Sequence, residues 1–375
     1  MINPESARIE EFEEVIKLIN KVFRISNKYN PTMQQEFPLL LNKDNIENMI
    51  VIKENGKIVS DVNYLIQDVL IQGIKVKVAS IGAVCTGREY EGKGYSSKIL
   101  DKVEEKMYDD GVDIVLISGD RSLYTRRMCS KVKNFYKYTM VPKDISLNLD
   151  IQEYDEKYIN EIMQMYNQNA TRYFRTKEQF EILLKSATTP FGNYTYKKLI
   201  IKKDDKLIGY IVIRLIDEEG KKSGQIIELN LAPNYVHNTI SYLSYKYDLD
   251  YIDHWVHVKD YKNHIEKYDE VCIDYLHGTI KIINYEKLCK SLYYYFIQYV
   301  DKKTLDNTQF KDLSGKYLIK YKDEEILIEN VDSLNKLFFE GKINKESLNE
   351  KPHIKKFIKD VFPINFVWPT NLNYQ

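Results

Sequence analysis

The stretch that most constrains this chain runs from Ala79 to Ile117. It reads as an apolar strand, ASIGAVCT, a glycine-marked turn, EYEGKGYSSKIL, and a helical segment, then a second apolar strand, VDIVLI. From Tyr95 to Asp109 the apolar residues Ile99, Leu100, Val103 and Met107 fall on one helical face. Gly111 supplies the stop. Val112–Ile117 has the run of apolar residues expected of a strand covered on both faces. Strand, crossover helix and strand make a βαβ unit, whose two strands lie parallel and adjacent.

What precedes this unit is a helix and a meander. Phe12, Val15, Ile16, Ile19 and Phe23 recur at helical spacing. After them, Asn55-Gly56 marks a hairpin and Gln72-Gly73 a second turn. The segment IVIKENGKIVS (50–60) returns as LIIKKDDKLIG (199–209), with Lys53 and Lys202 offset by 149 residues. A second unit of related build is therefore expected, without the glycine turn, since no glycine occurs from Gln225 to His277. A third segment starts near Gly278. It offers a strand (Thr279–Ile283), a helix carrying Leu288, Leu292 and Phe296, a hairpin at Lys322-Asp323, and a helix from Val331 to Gly341. The aromatic-rich end, PINFVWPTNLNYQ, is expected to pack against the protein. The expected class is α+β with mixed α/β sheets, in units of 1–148, 149–270 and 271–375.

Composition excludes several functions. Hydrophobic residues make up 43% of 375, enough for packed cores. Lys and Arg number 55, and so do Asp and Glu, so nucleic-acid binding lacks its electrostatic driver. The four cysteines (Cys85, Cys129, Cys272, Cys289) form no C-x-x-C pair. His254 and His257 form H-x-x-H, a metal-binding spacing on a helix, without an acidic or cysteine partner at a signature distance, so no metal is expected. The N-terminus has neither the basic nor the apolar part of a signal peptide. No apolar run reaches the ~18 residues of a membrane span. The expectation is a cytoplasmic protein with no membrane partner.

Gly92-Lys93-Gly94 is either a flexible connection or a phosphate cradle. Glycine permits positive φ and close approach of the backbone. The first turn of a helix presents free N–H groups and partial positive charge. Gly92, Lys93, Gly94, Tyr95, Ser96 and Ser97 could together hold a pyrophosphate. Neither the Walker spacing nor a third dinucleotide-fingerprint glycine is present.

At this point the residues resemble a known family. ASIGAVCTGREYEGKGYSSKILDKVEEKM is similar to the acetyl-CoA motif of the GNAT acetyltransferase superfamily, [Q/R]-x-x-G-x-[G/A]. The motif falls on Glu91-Gly92-Lys93-Gly94-Tyr95-Ser96, with Glu91 and Ser96 departing from it. LISGDRSLYTRRMC (Leu116–Cys129) resembles the family's next block, Y-x-x-x-G-[FY]. Tyr124 holds the tyrosine position, and Met128-Cys129 replace Gly-Phe. The order of units resembles the Eis-like (enhanced intracellular survival) acetyltransferases, which have two GNAT domains, the second degenerate, and a sterol-carrier-like C-terminal domain.

The resemblance implies a GNAT acyl-CoA N-acyltransferase fold in tandem copies and acetyl-CoA as cosubstrate. It assigns Val84, Cys85 and Thr86 to the pantetheine arm, with the Val84 N–H facing the thioester carbonyl. Tyr124 becomes the general acid for the leaving thiolate, and the carboxylate of Gln375 the base. Gly119 and Asp120 flank the coenzyme arm. Other readings stand beside these: Tyr124 as a tyrosine bonding a carbonyl, Asp120 as a helix N-cap, Cys85 as packing, Gln375 as a disordered end. The acceptor is expected to be a primary amine, either a small molecule (a polyamine or aminoglycoside-like compound) or a lysine or N-terminal amine of a peptide. Homo-oligomers are expected because Eis-like enzymes assemble. The alternatives are a non-catalytic CoA- or lipid-binding module, or an aminoacyl or other acyl transferase on the same double fold.

Overall fold

The computed structural model describes residues 3–144, 147–187, 189, 191–260 and 270–374. The first sheet takes β1 (Glu5–Ser6), β2 (Met49–Glu54), β3 (Lys57–Ile71), β4 (Ile74–Thr86) and β5 (Ile114–Ile117). The second takes β6 (Lys133–Met140) and β7 (Asp150–Glu153). After β8 (Arg172–Tyr173), a short strand paired with β3, it continues with β9 (Tyr194–Lys203), β10 (Lys206–Glu218), β11 (Lys221–Asn230), β12 (Tyr251–His257) and β13 (Glu270–Tyr275). Next, β14 (Thr279–Ile282) returns to the first sheet. The strands β15 (Thr308–Asp312), β16 (Tyr317–Tyr321) and β17 (Glu324–Ile328) form a third.

Helices cover these sheets. They are α1 (Phe12–Phe23), α2 (Met33–Glu36), α3 (Tyr95–Asp109), α4 (Ser122–Thr125), α5 (Ile159–Asn167), α6 (Lys177–Ser186), α7 (Pro233–Lys246), α8 (Tyr285–Ser291), α9 (Tyr293–Phe296), α10 (Lys302–Asp306), α11 (Val331–Glu340) and α12 (Pro352–Val361). The stripe on α3 is buried as its periodicity requires, with Ile99, Val103 and Met107 fully covered. Each such side chain contributes roughly 1.5–3 kcal/mol. Gly111, at φ 70°, follows the helix end. Gly341, at φ 67°, caps α11 in the same left-handed conformation.

The internal repeat is structural. The order β1-β2-β3-β4-β5 in the first sheet matches β7-β9-β10-β11-β12 in the second. Both repeated hairpins turn through two left-handed residues, Asn55 and Gly56 in one, Asp204 and Asp205 in the other. β4 pairs with β5 in parallel, and β11 with β12 likewise.

The sixth strand of each sheet comes from elsewhere in the chain. Lys133–Met140, inside the 1–148 unit, pairs with β12 in the second sheet. Thr279–Ile282, inside the 271–375 unit, pairs with β5 in the first. The boundaries at 148 and 270 therefore do not separate the sheets. Sequence periodicity identifies a strand but not its partner, and these two pairings join residues far apart in the chain.

The C-terminal segment is packed along both sheets. Trp368 stacks on Trp255 of β12, with ring centroids 4.8 Å apart and planes 10° apart. The buried Arg175 guanidinium grips Glu228 through two bonds of 2.9 and 2.7 Å, and its Nε donates to Asn373 Oδ1 at 2.6 Å. Tyr374 reaches the ring of Phe37, 6.2 Å away.

Candidate active site

Two irregularities in the first sheet open a gap. The parallel pairing of β4 and β5 ends at Ile81↔Ile117, although β4 continues to Thr86. On the other side of β4 the register passes from Asn63↔Gly82 to Asp61↔Cys85, so Ala83 and Val84 together oppose one residue of β3. Ala83 sits at φ 50°, the left-handed conformation found at a G1-type β-bulge. The bulge re-aims the end of β4 away from β5. A cavity of about 470 Å³ lies there, lined by Val84, Cys85 and Thr86 of β4 and by Gly92, Gly94 and Tyr95–Ser97 of the turn and α3.

The glycines of the turn are conformationally required. Gly92 and Gly94 have φ of 78° and 77°, and Gly94 is the N-cap of α3. A Cβ at either position would stand in open space, with nothing within 4 Å. The backbone is thus exposed to an approaching ligand at the positive end of a fifteen-residue helix. This fits a pyrophosphate. Glu91 also lines the cavity, and its side chain makes no hydrogen bond or ion pair with the described residues.

Two of the residues expected to hold coenzyme turn their side chains elsewhere. Lys93 Nζ lies 3.1 Å from Glu54 Oε2, and Tyr95 Oη donates to the same oxygen at 2.9 Å. The bonds to Tyr95 and Lys93 lower the Glu54 carboxyl below its usual value. What Lys93 and Tyr95 offer the cavity is backbone. Ser96, at the motif's small-residue position, shares a hydrogen bond of 2.8 Å with Thr86, which shares another of 2.8 Å with Ser60. This hydroxyl chain ties the first turn of α3 to β4 and β3.

Cys85 is a packing residue. Its thiol donates to Asp61 Oδ1 at 2.7 Å, and burial, with the Asp61 charge next, pushes it well above the usual thiol range. A thiol so held is a poor nucleophile. Asp61 also accepts from Asn63 Nδ2. Asp61 and Asn63 are wholly buried polar residues that, with Ser60, interrupt the apolar run of β3 from Ile58 to Leu65, and that break was the available signal for them.

Tyr124, in α4, is buried and accepts a hydrogen bond of 3.0 Å from Arg121 Nη2. Arg121 lines the 470 Å³ cavity and is a residue the motifs do not mark. Gly119 packs on the Tyr124 ring. Asp120 caps no helix: it is exposed and pairs with Lys131 at 2.8 Å, beside Gly119 in a neighbouring cavity of about 360 Å³. Met128, at the family's glycine position, adopts φ 60°, so the local geometry persists without the glycine. Arg127 Nη2 donates to Ser97 O at 2.7 Å and to Asp101 Oδ1 at 2.6 Å, joining this block to α3. Gln375 lies outside the described residues.

The second copy repeats the frame without the cradle. Its parallel pairing ends at Gln225↔Asp253, and a register shift follows between Ile226 and Glu228. Its helix α7 begins at Ala232-Pro233, with no glycine and no positive φ. His254 and His257 lie on the strand β12, where an odd spacing sends side chains to opposite faces, so the helical metal-binding geometry does not arise.

Residues 3–128 match the family described as Acetyltransferase (GNAT) domain. No curated protein matches the sequence. Solved structures match over nearly the whole chain. A GCN5-related N-acetyltransferase from Anabaena variabilis is 13% identical, with 98% of each chain covered and a TM-score of 0.62. A conserved protein of Enterococcus faecalis, described as a "probable N-acyltransferase", is 14% identical, with 98% of this chain and 97% of that one covered and a TM-score of 0.65. Eis1 from Mycobacterium abscessus is 10% identical, with 99% of each covered and a TM-score of 0.59. These likenesses are of fold. The domain match makes the N-terminal part of the chain an acyltransferase domain of the GNAT kind, for which the donor is an acyl-CoA.

Proposed function

We propose that the protein is an acetyl-CoA-dependent N-acetyltransferase acting on a primary amine. The observation that carries this reading is the pairing of the Gly92-Gly94 cradle with the bulged, splayed end of β4. Phosphate held at the N-terminus of α3 leaves the thioester arm to run along Val84–Thr86 into the gap. Amine attack builds negative charge on the thioester oxygen. The Val84 N–H is the donor that meets it, and losing one such donor costs about 2.7–4 kcal/mol. Tyr124 then protonates the departing thiolate. The carboxylate of Gln375, which follows Tyr374, would be the base for the amine.

The first unit is the catalytic one, and the second, without its cradle, is a scaffold. The third unit is sterol-carrier-like. The amine is held between α1, α2, the second unit and the C-terminal segment. The protein is cytoplasmic and homo-oligomeric in this reading.

The test is release of free CoA thiol from acetyl-CoA over a panel of amines. Release above the hydrolysis background with at least one amine is expected. Acetyl-CoA binding with no release from any of them would overturn the reading in favour of a CoA-binding module.

A further inference from the structure

Two cavities share Arg214, Thr370 and Tyr374, and one of them adjoins the end of β5. One, of about 360 Å³, holds Ser118, Gly119, Asp120 and Lys131. The other, also about 360 Å³, holds Arg24, Glu36 and the aromatic residues Phe37, Phe191 and Tyr196. The first reaches Gly119, against which the Tyr124 ring packs, so in the acyl-transfer reading the pair form the space from which an acceptor meets the transferred acyl group.

Among the described residues, the charges in this space do not balance. Glu36 is taken by Arg24, whose Nε and Nη2 donate to its two oxygens at 2.8 and 2.7 Å. Asp120 is taken by Lys131 at 2.8 Å. Arg214 has no carboxylate partner among the described residues. Its Nη2 donates to the neutral amide of Gln225, and its guanidinium lies 5.0 Å from the centre of the Tyr194 ring. Arg214 Nε is buried and makes no hydrogen bond. A buried donor left unmade is costly, more so on a charged group, and native structures seldom leave one without a purpose.

We infer that the amine acceptor also carries an anionic group, a carboxylate or a phosphate ester, which Arg214 receives. The inference rests on the acyl-transfer reading above and narrows its acceptor. The guanidinium fork, with Nε free, suits an oxyanion. A polycation would set its second positive centre against Arg214, with Glu36 and Asp120, the carboxylates of the described lining, already neutralised. The aromatic wall of Phe37, Phe191 and Tyr196 suits an apolar body between the two charged ends, as in an amino acid or a short peptide.

The experiment compares acetyl-CoA-dependent thiol release with leucine, leucinamide, an aminoalkyl phosphate and spermidine. The expected result is a kcat/KM for leucine or the aminoalkyl phosphate at least about tenfold above that for leucinamide, the worth of one charge-assisted hydrogen bond. The better of the two anions identifies the group. Arg214→Gln should bring that ratio towards one through KM for the anionic acceptor, with acetyl-CoA affinity retained. Arg214→Lys should keep part of the preference, which separates charge recognition from a packing defect. Release with leucinamide or spermidine preferred, or a ratio unmoved in Arg214→Gln, overturns the inference and leaves acetyl transfer standing. Release with none of the four overturns the anionic acceptor. Loss of acetyl-CoA binding as well would remove the acyl-transfer reading beneath it.

Discussion

The ring of Tyr124 lies against Gly119 so closely that a Cβ at 119 would stand 3.0 Å from Cε2. Glycine at 119 is thus a fit to the tyrosine and not a turn requirement, since its φ is not among the positive ones. Gly119→Ala should push the ring by a few tenths of an ångström while leaving the Gly92-Gly94 cradle intact. We expect kcat to fall by up to about 10²-fold with acetyl-CoA affinity unchanged. Steady-state kinetics beside a binding titration checks this, and an unaltered kcat contradicts it.

Tyr124→Phe keeps the ring and removes the hydroxyl that Arg121 contacts. If the phenol donates the proton to the leaving thiolate, kcat should drop by about 10²–10⁴-fold with binding preserved. Arg121 is an exposed residue, so water replaces its lost acceptor and the fold survives. Full turnover in this variant would return Tyr124 to the role of a structural tyrosine.

Met128 holds φ 60° and is 46% exposed. A non-glycine residue in this conformation is strained by roughly 1–2 kcal/mol, and glycine gives back part of that gain as freedom of the unfolded chain. Met128→Gly should therefore stabilise the protein by about 0.5–1 kcal/mol in denaturant unfolding. A loss of stability would show that the Met128 side chain contributes packing that outweighs the strain.

Burial holds the Asp61 carboxyl up to about 7, against an ordinary value of 3.8, while bonds from Cys85 and Asn63 pull the other way. Between these values the folded chain keeps a proton that the unfolded chain has released. Stability from this group therefore falls as pH rises from about 4 through about 7. Burial, aided by the Lys259 charge, holds His257 down to about 3, and its contribution runs in the opposite sense, falling as pH drops below 6.5. The difference between the parent and Asp61→Asn isolates Asp61, because His257 is common to both. Parallel stability-against-pH curves for the two proteins would contradict the buried, protonated acid.

Local pattern and long-range pairing differ in how far the sequence reveals them. The α3 stripe, the Asn55-Gly56 turn, the Lys322-Asp323 hairpin and the Gly341 cap are each specified by residues a few positions apart, and the structure has all of them. The pairing of β6 with β12 and of β14 with β5 depends on packing between distant segments, which periodicity does not encode. The cradle was legible because only glycine adopts its angles without strain. Arg121 and Arg214 were not, since an arginine in a strand or loop looks the same whether it faces solvent or a cavity.

The central claim is that the backbone amides from Gly92 to Ser97 hold the diphosphate of acetyl-CoA. Hydrogen exchange followed by mass spectrometry, with and without acetyl-CoA, tests it most directly. The account predicts new protection in the peptide spanning Gly92–Ser97, together with Val84–Thr86, and none at the start of α7, where Ala232-Pro233 offers no cradle. Saturating acetyl-CoA that leaves exchange at Gly92–Ser97 unaltered, or protects the start of α7 instead, would contradict it.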